Sequence, residues 1–423
     1  MWRILLASVC AAAALVPAAA RAQVAIHGCK ISPEQAAKYA PDGDGPVRLV
    51  ALTCAPLGPI NNFLDLRLAP DGEGFLALES RKGLTVGQLQ AGDAQHLTTI
   101  DPPFRRLATG ADLGFRWSSD SRFIWGLTQE VAQPSHFPTG PLHVERIGRD
   151  GVETQLPELR DAGGDRGGDL DGVLWVNGEG LALATLGLHG DRYRPPRATP
   201  DPTLAVVDFR KGEVRRSVPM SGLLGGVGST TIPGILDAIA VQRPDGKVRT
   251  LMRLGPPPTW MLWTEGEAPR RIDLPFGAAQ QSGGVAFLPG GDRVLVIPQL
   301  HPFGMICEHN PNCPAPTPVT GPLAALYDLA SGKLIWRTEA TASYFANGVA
   351  AAVSPDGRYA VIGVPAEADR MPRAGLISLR DGRVLQTFRG PWNSHCEVGF
   401  TADGRLWLNG GGLVAIYQIT RGR

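Results

Sequence analysis

The stretch Ala352 to Gly363, AVSPDGRYAVIG, is an apolar run, a tight Asp-Gly turn and a second apolar run. Strand formers flanking a dipeptide whose glycine accepts positive φ are the signature of a β-hairpin. Six further versions lie between Leu68 and the C-terminus: LAPDGEGFLAL (Leu68 to Leu78), WSSDSRFIW (Trp117 to Trp125), WVNGEGLAL (Trp175 to Leu183), VQRPDGKV (Val241 to Val248), FLPGGDRVLV (Phe287 to Val296) and FTADGRLWL (Phe400 to Leu408). Copies spaced roughly 45 to 70 residues apart fit a blade-type repeat with loop insertions.

A second strand, turn, strand unit follows each hairpin and is clearest as LAALYDLASGKLIWRT, Leu323 to Thr338. Thr203 to Val218 and Ala374 to Phe388 are close relatives; Leu84 to Ile100, Leu142 to Leu156 and Trp260 to Leu274 are looser ones. Two hairpins per repeat make four antiparallel strands, one propeller blade. The last repeat, GLVAIYQITRGR (Gly412 to Arg423), supplies one strand where two are needed. The β-prone VRLVALTC, Val47 to Cys54, stands alone before the first copy and is the natural fourth strand, leaving no free edge where the ring joins. The expectation is an all-β, seven-bladed β-propeller over residues 47–423, closed by that strand. Residues 23–46 form an extension in which Ser32-Pro33-Glu34-Gln35 opens a short helix to Tyr39, with Ser as cap, Pro at the first position and Gln completing a capping box.

The SPDG-R-hydrophobic turn at Ser354 to Ile362 resembles the repeat of WD40-like and YVTN propellers in the quinoprotein amine dehydrogenase β-chain-like superfamily. The resemblance spans nearly the whole chain after residue 46 and implies architecture alone. Leu326 to Trp336 also resembles a single quinoprotein-type repeat, but the other repeats lack the matching tryptophan, so quinone binding is not carried over.

Composition narrows the function classes. With 41 basic and 40 acidic residues there is no field to attract nucleic acid. Met1 to Arg3, the apolar run Ile4 to Ala20 and the small-x-small site Ala20-Arg21-Ala22 read as a secretory signal peptide over residues 1–22. No later segment is long and apolar enough to span a bilayer. Arg-rich, Ala/Gly/Pro-rich usage resembles that of a GC-rich bacterium, so the periplasm is the expected compartment. Of the five cysteines after residue 22, Cys307 and Cys313 in CEHNPNC are expected to pair; Cys29 with Cys54 is the second pairing, with Cys29 to Cys396 as its alternative.

The repeated Asp-Gly turns lie on one face of a propeller, so the unequal insertions after each second strand fall on the other. These are Gln129 to Gly140, Leu188 to Pro202, Gln299 to Pro322 and Val364 to Arg373. Two carry recognition chemistry: Arg192, Tyr193 and Arg194 in one, which would grip an anion or carbohydrate, and His301 and His309 in another. No CxxC or HxxxH spacing accompanies these histidines, so a disulfide-stapled loop accounts for them more simply than a zinc site. Positions entering the innermost strands face the channel: Arg106 and Asp112, Asp237, Gln281, Asn347, and His395 with Glu397. Such a set binds a ligand, does acid-base work, or simply hydrates the channel.

There is no GxSxG elbow, HExxH, P-loop, CxxCH or calcium loop. The leading expectation is therefore an exported, monomeric, non-catalytic binding or scaffold propeller for a protein or cell-envelope ligand, with no cofactor. The alternative is a propeller enzyme, either a lactonase-like hydrolase with a channel-bound divalent metal or a quinoprotein-type dehydrogenase.

Overall fold

The computed structural model describes residues 24–27, 31–54, 63–80, 87–93, 97–100, 105–107, 115–130, 142–149, 153–156, 170–186, 203–223, 235–254, 259–274, 282–298, 319–342, 351–364, 373–389, 397–410 and 413–420. Their strands form seven sheets. The sheets are antiparallel four-stranded units, and the chain is an all-β propeller built from them. In order, the first comprises Phe63–Leu68, Gly74–Ser80, Gly87–Asp93 and Leu97–Ile100, and the third Leu170–Val176, Leu181–Leu186, Thr203–Asp208 and Glu213–Pro219. The fourth has Ile235–Gln242, Val248–Leu254, Thr259–Thr264 and Arg270–Ile272; the fifth Ser282–Phe287, Arg293–Pro298, Val319–Asp328 and Leu334–Ala342; the sixth Ala352–Val353, Tyr359–Val364, Arg373–Ser378 and Val384–Arg389.

Two sheets depart from the plain pattern. In the second, the innermost position is shared by Arg105–Leu107 and Phe115–Trp117, both paired with Phe123–Glu130, followed by Leu142–Gly148 and Glu153–Gln155. The seventh sheet joins Glu397–Phe400, Leu406–Gly410 and Leu413–Ile419 to Val47–Cys54, with Val47 opposite Ile419 and Cys54 opposite Leu413. A fifth strand, Ala25–His27, then adds in parallel along the outer side of Val47–Cys54. The sequence gives no sign of this strand, because a three-residue parallel addition has no turn to announce it.

First strands of consecutive sheets lie beside one another from the third sheet through the seventh, and Glu397–Phe400 of the seventh lies beside Phe63–Leu68 of the first. The core sits between sheets. Leu181, Leu183 and Val206 of the third sheet pack on Met252, Leu254 and Trp263 of the fourth, while Leu251 and Leu262 on the fourth sheet's other face meet Val294 and Tyr327 of the fifth. A middle strand covered on both faces has no polar face to present, which is why Leu181–Leu186 is apolar except for Thr185 and buried throughout.

The short helix Pro33–Ala37 ends two residues before the expected Tyr39 and has the capping box its sequence calls for: the Gln35 amide donates to Ser32 Oγ and the Ser32 amide to Gln35 Oε1. Ala36, Ile31 and Tyr39 rest on the core between the sixth and seventh sheets. Residues 41–47 fill the outer seam of those sheets. Pro41 bridges to Phe388, the Asp42 amide donates to the Thr387 carbonyl at 2.8 Å, and the Val47 amide donates to Gln386 Oε1 at 2.9 Å.

Ser121 has φ +59°, the left-handed region in which the other first-hairpin turns place glycine. Its hydroxyl, which a glycine would lack, accepts the Asp71 amide of the first sheet at 2.9 Å. Ser121→Ala keeps the strained backbone and loses the bond, so it is expected to cost about 1 kcal/mol, whereas Ser121→Gly relieves the strain and comes out near neutral. Urea midpoints of the two variants check this.

Candidate functional site

The propeller presents two ends of different character. At one end the connections between first and second strands are uniform, four or five residues in every sheet, as in residues 354–358 between Val353 and Tyr359. At the other end the second-to-third connections run from two residues, 411–412, to twenty, residues 299–318.

Several turns at the uniform end satisfy their own polar groups. In the turn beginning at Ser354, that residue's hydroxyl donates to Asp356 Oδ1 at 2.7 Å and accepts the Tyr359 amide at 3.0 Å, while the Gly357 amide closes on the Ser354 carbonyl at 2.8 Å. Ser118, Asp120 and Phe123 repeat the arrangement, and Thr401, Asp403 and Arg405 a close variant of it. Asn177 caps the Glu179 and Leu181 amides instead.

Neighbouring sheets are then tied to one another in turn. The Ala402 amide donates to the Pro70 carbonyl (seventh to first), Arg149 to Asp71 Oδ2 at 2.6 Å (second to first), and Trp125 Nε1 to the Gly178 carbonyl at 2.8 Å (second to third). Asn177 bonds Gln242 at 2.9 Å, Arg249 reaches the Gly291 carbonyl and Asp292, Trp336 Nε1 donates to the Leu379 carbonyl at 2.9 Å, and Gln386 receives the Val47 amide. Each of the seven junctions has its own bond.

Asp71, Asp120 and Asp403 at this end have their pKa values lowered below the ordinary carboxylate range. Burial alone would raise Asp71, but the Glu73 and Gly74 amides and the Arg149 guanidinium outweigh it and lower its pKa. The Ser118 hydroxyl is the main cause that lowers Asp120; burial at Asp403 is outweighed by the Thr401 hydroxyl and Arg405. A carboxylate whose native pKa lies below its unfolded value adds stability that is complete above about pH 4 and lost as pH falls through the native value. Thermal midpoints are therefore expected to hold down to about pH 4 and drop below it. Asp71→Asn should show a shallower acid drop in the same melts.

Of the residues expected at the channel, the structure places three on innermost strands rather than ahead of them. Arg106 lies within Arg105–Leu107 opposite Gln129, Asp237 within Ile235–Gln242 opposite Arg253, and Glu397 begins Glu397–Phe400 opposite Asn409. The expected position for Arg106 is corrected by the split inner strand of the second sheet. All three lie toward the end with unequal connections. Asn409 is buried, and Arg253 has a buried Nε without a hydrogen-bond partner among the described residues.

Asp112, Gln281, Asn347, His395, Arg192, Tyr193, Arg194, His301 and His309 lie outside the described residues, as do Cys29, Cys307, Cys313 and Cys396. Cys54 ends its strand. The insertion expected from Gln299 to Pro322 is shorter than its sequence implied, since Val319 to Pro322 already pairs with Glu339 to Ala342. Among the described residues no group of three or more His, Cys, Asp or Glu is placed to hold a metal, and no helix is long and apolar enough to cross a membrane.

No protein-family model and no curated protein matches the sequence. Solved structures do. An oligogalacturonate lyase from Vibrio parahaemolyticus is 14% identical, with 90% of this chain and 94% of that one covered at a TM-score of 0.49. The WD40 propeller domain of Doa1 is 14% identical over 88% of this chain and 97% of that one at 0.46, and a streptogramin B lyase 12% identical over 87% and 97% at 0.47.

Proposed function

We propose that the seven sheets act as one closed seven-bladed ring, sealed by Val47–Cys54, whose insertion-bearing face binds a protein or cell-envelope ligand in the periplasm after removal of residues 1–22. The observation that carries this reading is the inequality of the two ends. At the turn end Asp71, Asn177, Arg249 and Arg405 are engaged in the turns and junctions themselves. The other end has connections of two to twenty residues, which is where a rigid scaffold concentrates recognition.

Within that reading Arg192, Tyr193 and Arg194 supply anion and aromatic contacts, and Cys307 with Cys313 staples the longest loop. The channel positions Arg106, Asp237 and Glu397 form its floor. Deleting residues 301–318 leaves the paired segment Val319 to Pro322 in place and is expected to abolish retention of the partner from envelope extract on immobilised protein. Equal retention by the full chain and the deletion would sink the proposal. Peptide mapping without reductant tests the staple, with a free thiol at Cys307 as the contrary result.

The enzymatic alternative rests on the polar pairs Asp237 with Arg253 and Glu397 with Asn409 at the same end. Stoichiometric divalent metal in the purified protein, lost in His395→Ala or Glu397→Ala, would favour the metal-dependent hydrolase over the binding propeller.

A further inference from the structure

A propeller exposes the outer strand of every sheet, and an exposed edge invites pairing with another chain unless something prevents it. Six of the seven outer strands here have such a device. Leu97–Ile100, Glu153–Gln155 and Arg270–Ile272 are only four, three and three residues long. Val47–Cys54 is covered by Ala25–His27, and Val384–Arg389 is engaged by Pro41 and Asp42. Glu213–Pro219 ends in proline and carries Arg215 and Arg216, so a two-fold pairing centred on it sets Arg216 against Arg216.

Leu334–Ala342 of the fifth sheet has none of these. It is nine residues long, and among the described residues no strand pairs with its outer side. Its inner partner Val319–Asp328 continues beyond Ala325, the last residue there to pair with Arg293–Pro298, so the two strands project as a ribbon through Val319 opposite Ala342. Leu334 and Ile335, 48% and 43% exposed, are the exposed large hydrophobic residues among those described. Trp336 and Thr338 turn inward to the sixth sheet, donating to the Leu379 and Gly382 carbonyls, while Arg337 and Glu339 stand exposed and bonded to each other.

We infer that this strand is the interface of a homodimer, pairing antiparallel with the same strand of a second copy about a two-fold axis at Thr338. The charges choose both the occupant and the register. Centred on Thr338, Arg337 falls opposite the partner's Glu339, and Glu339 opposite the partner's Arg337, on one face of a continuous sheet; opposite charges at directly facing positions stabilise an antiparallel pair. The same register lays Ile335 along the partner's Thr341 and Leu334 along the partner's Ala342, covering the exposed apolar pair. Two-fold symmetry makes every such contact occur twice, as an isologous interface requires.

Sedimentation velocity at micromolar protein tests this. The chain from residue 23 onward is expected to sediment at twice the chain mass. Arg337→Glu and Glu339→Arg each place like charges opposite one another in both halves and should raise the dissociation constant roughly tenfold or more. The double variant R337E/E339R restores opposite signs and should restore the dimer, a pattern that misfolding of a single variant does not produce. A monomeric wild-type chain, a dimer indifferent to Arg337→Glu, or a double variant no better than the single ones would each overturn the inference.

Discussion

Replacing Tyr417 with Ala is expected to lower the free energy of unfolding by about 3 to 5 kcal/mol, the range for removing a large aromatic from a packed core. Tyr417 is fully buried, and its ring meets Phe388 edge-on, with centroids 5.0 Å apart and planes at 63°. Its hydroxyl donates to the Tyr39 carbonyl at 2.9 Å. One side chain therefore contacts the seventh sheet, the sixth sheet and the N-terminal extension together. Tyr417→Phe keeps the ring and leaves the carbonyl without that donor, for an expected cost of about 1 kcal/mol. Urea denaturation of the two variants separates packing from hydrogen bonding. A Tyr417→Ala loss no larger than that of Tyr417→Phe would mean that the buried ring adds little to the packing of this seam.

Trp125→Ala should cost a similar amount, about 3 to 5 kcal/mol, at the junction of the second and third sheets. The indole is buried and donates to the Gly178 carbonyl at 2.8 Å. A Cβ at Gly180 would fall 2.8 Å from the same ring, so the third sheet has glycine there to let the indole in. The Arg146 guanidinium lies 4.8 Å from the centre of Phe123 and 6.0 Å from that of Trp125, adding a cation to the face of the cluster. Trp125→Phe preserves most of the packing and loses the N–H bond. Its urea midpoint should lie much nearer the wild type than that of Trp125→Ala.

The hairpins were legible because their information is local. A serine or threonine three residues before a positive-φ glycine, with Asp between, dictates the turn at Ser354 and Thr401, and the Ser118 turn follows the same logic with Ser121 in the glycine position. The helix at Pro33 was legible for the same reason. Val47–Cys54 could be placed only by elimination, as the strand missing from the last repeat, and its register against Leu413–Ile419 came from the structure.

Less was legible of the candidate site. The division of the second sheet's inner strand, which moves Arg106 into a strand, depends on how two separate segments share one partner. The strand character of Val319 to Pro322 was hidden by its Gly and Pro and is supplied by the facing segment Glu339 to Ala342. Arg253, with its buried Nε, attracts no notice in the sequence because only pairing brings it opposite Asp237.

The seventh sheet also sets a timetable for folding. Val47–Cys54 is synthesised well before its partner Leu413–Ile419, with six whole sheets between them in the chain. Until those residues emerge, the early strand waits with its pairing groups unmet while the intervening sheets form from near neighbours in sequence. Contacts of such long sequence separation form slowly, and an unpaired strand is the vulnerable species in the interval. Whatever escorts this chain before Leu413–Ile419 arrives has one particular segment to shield.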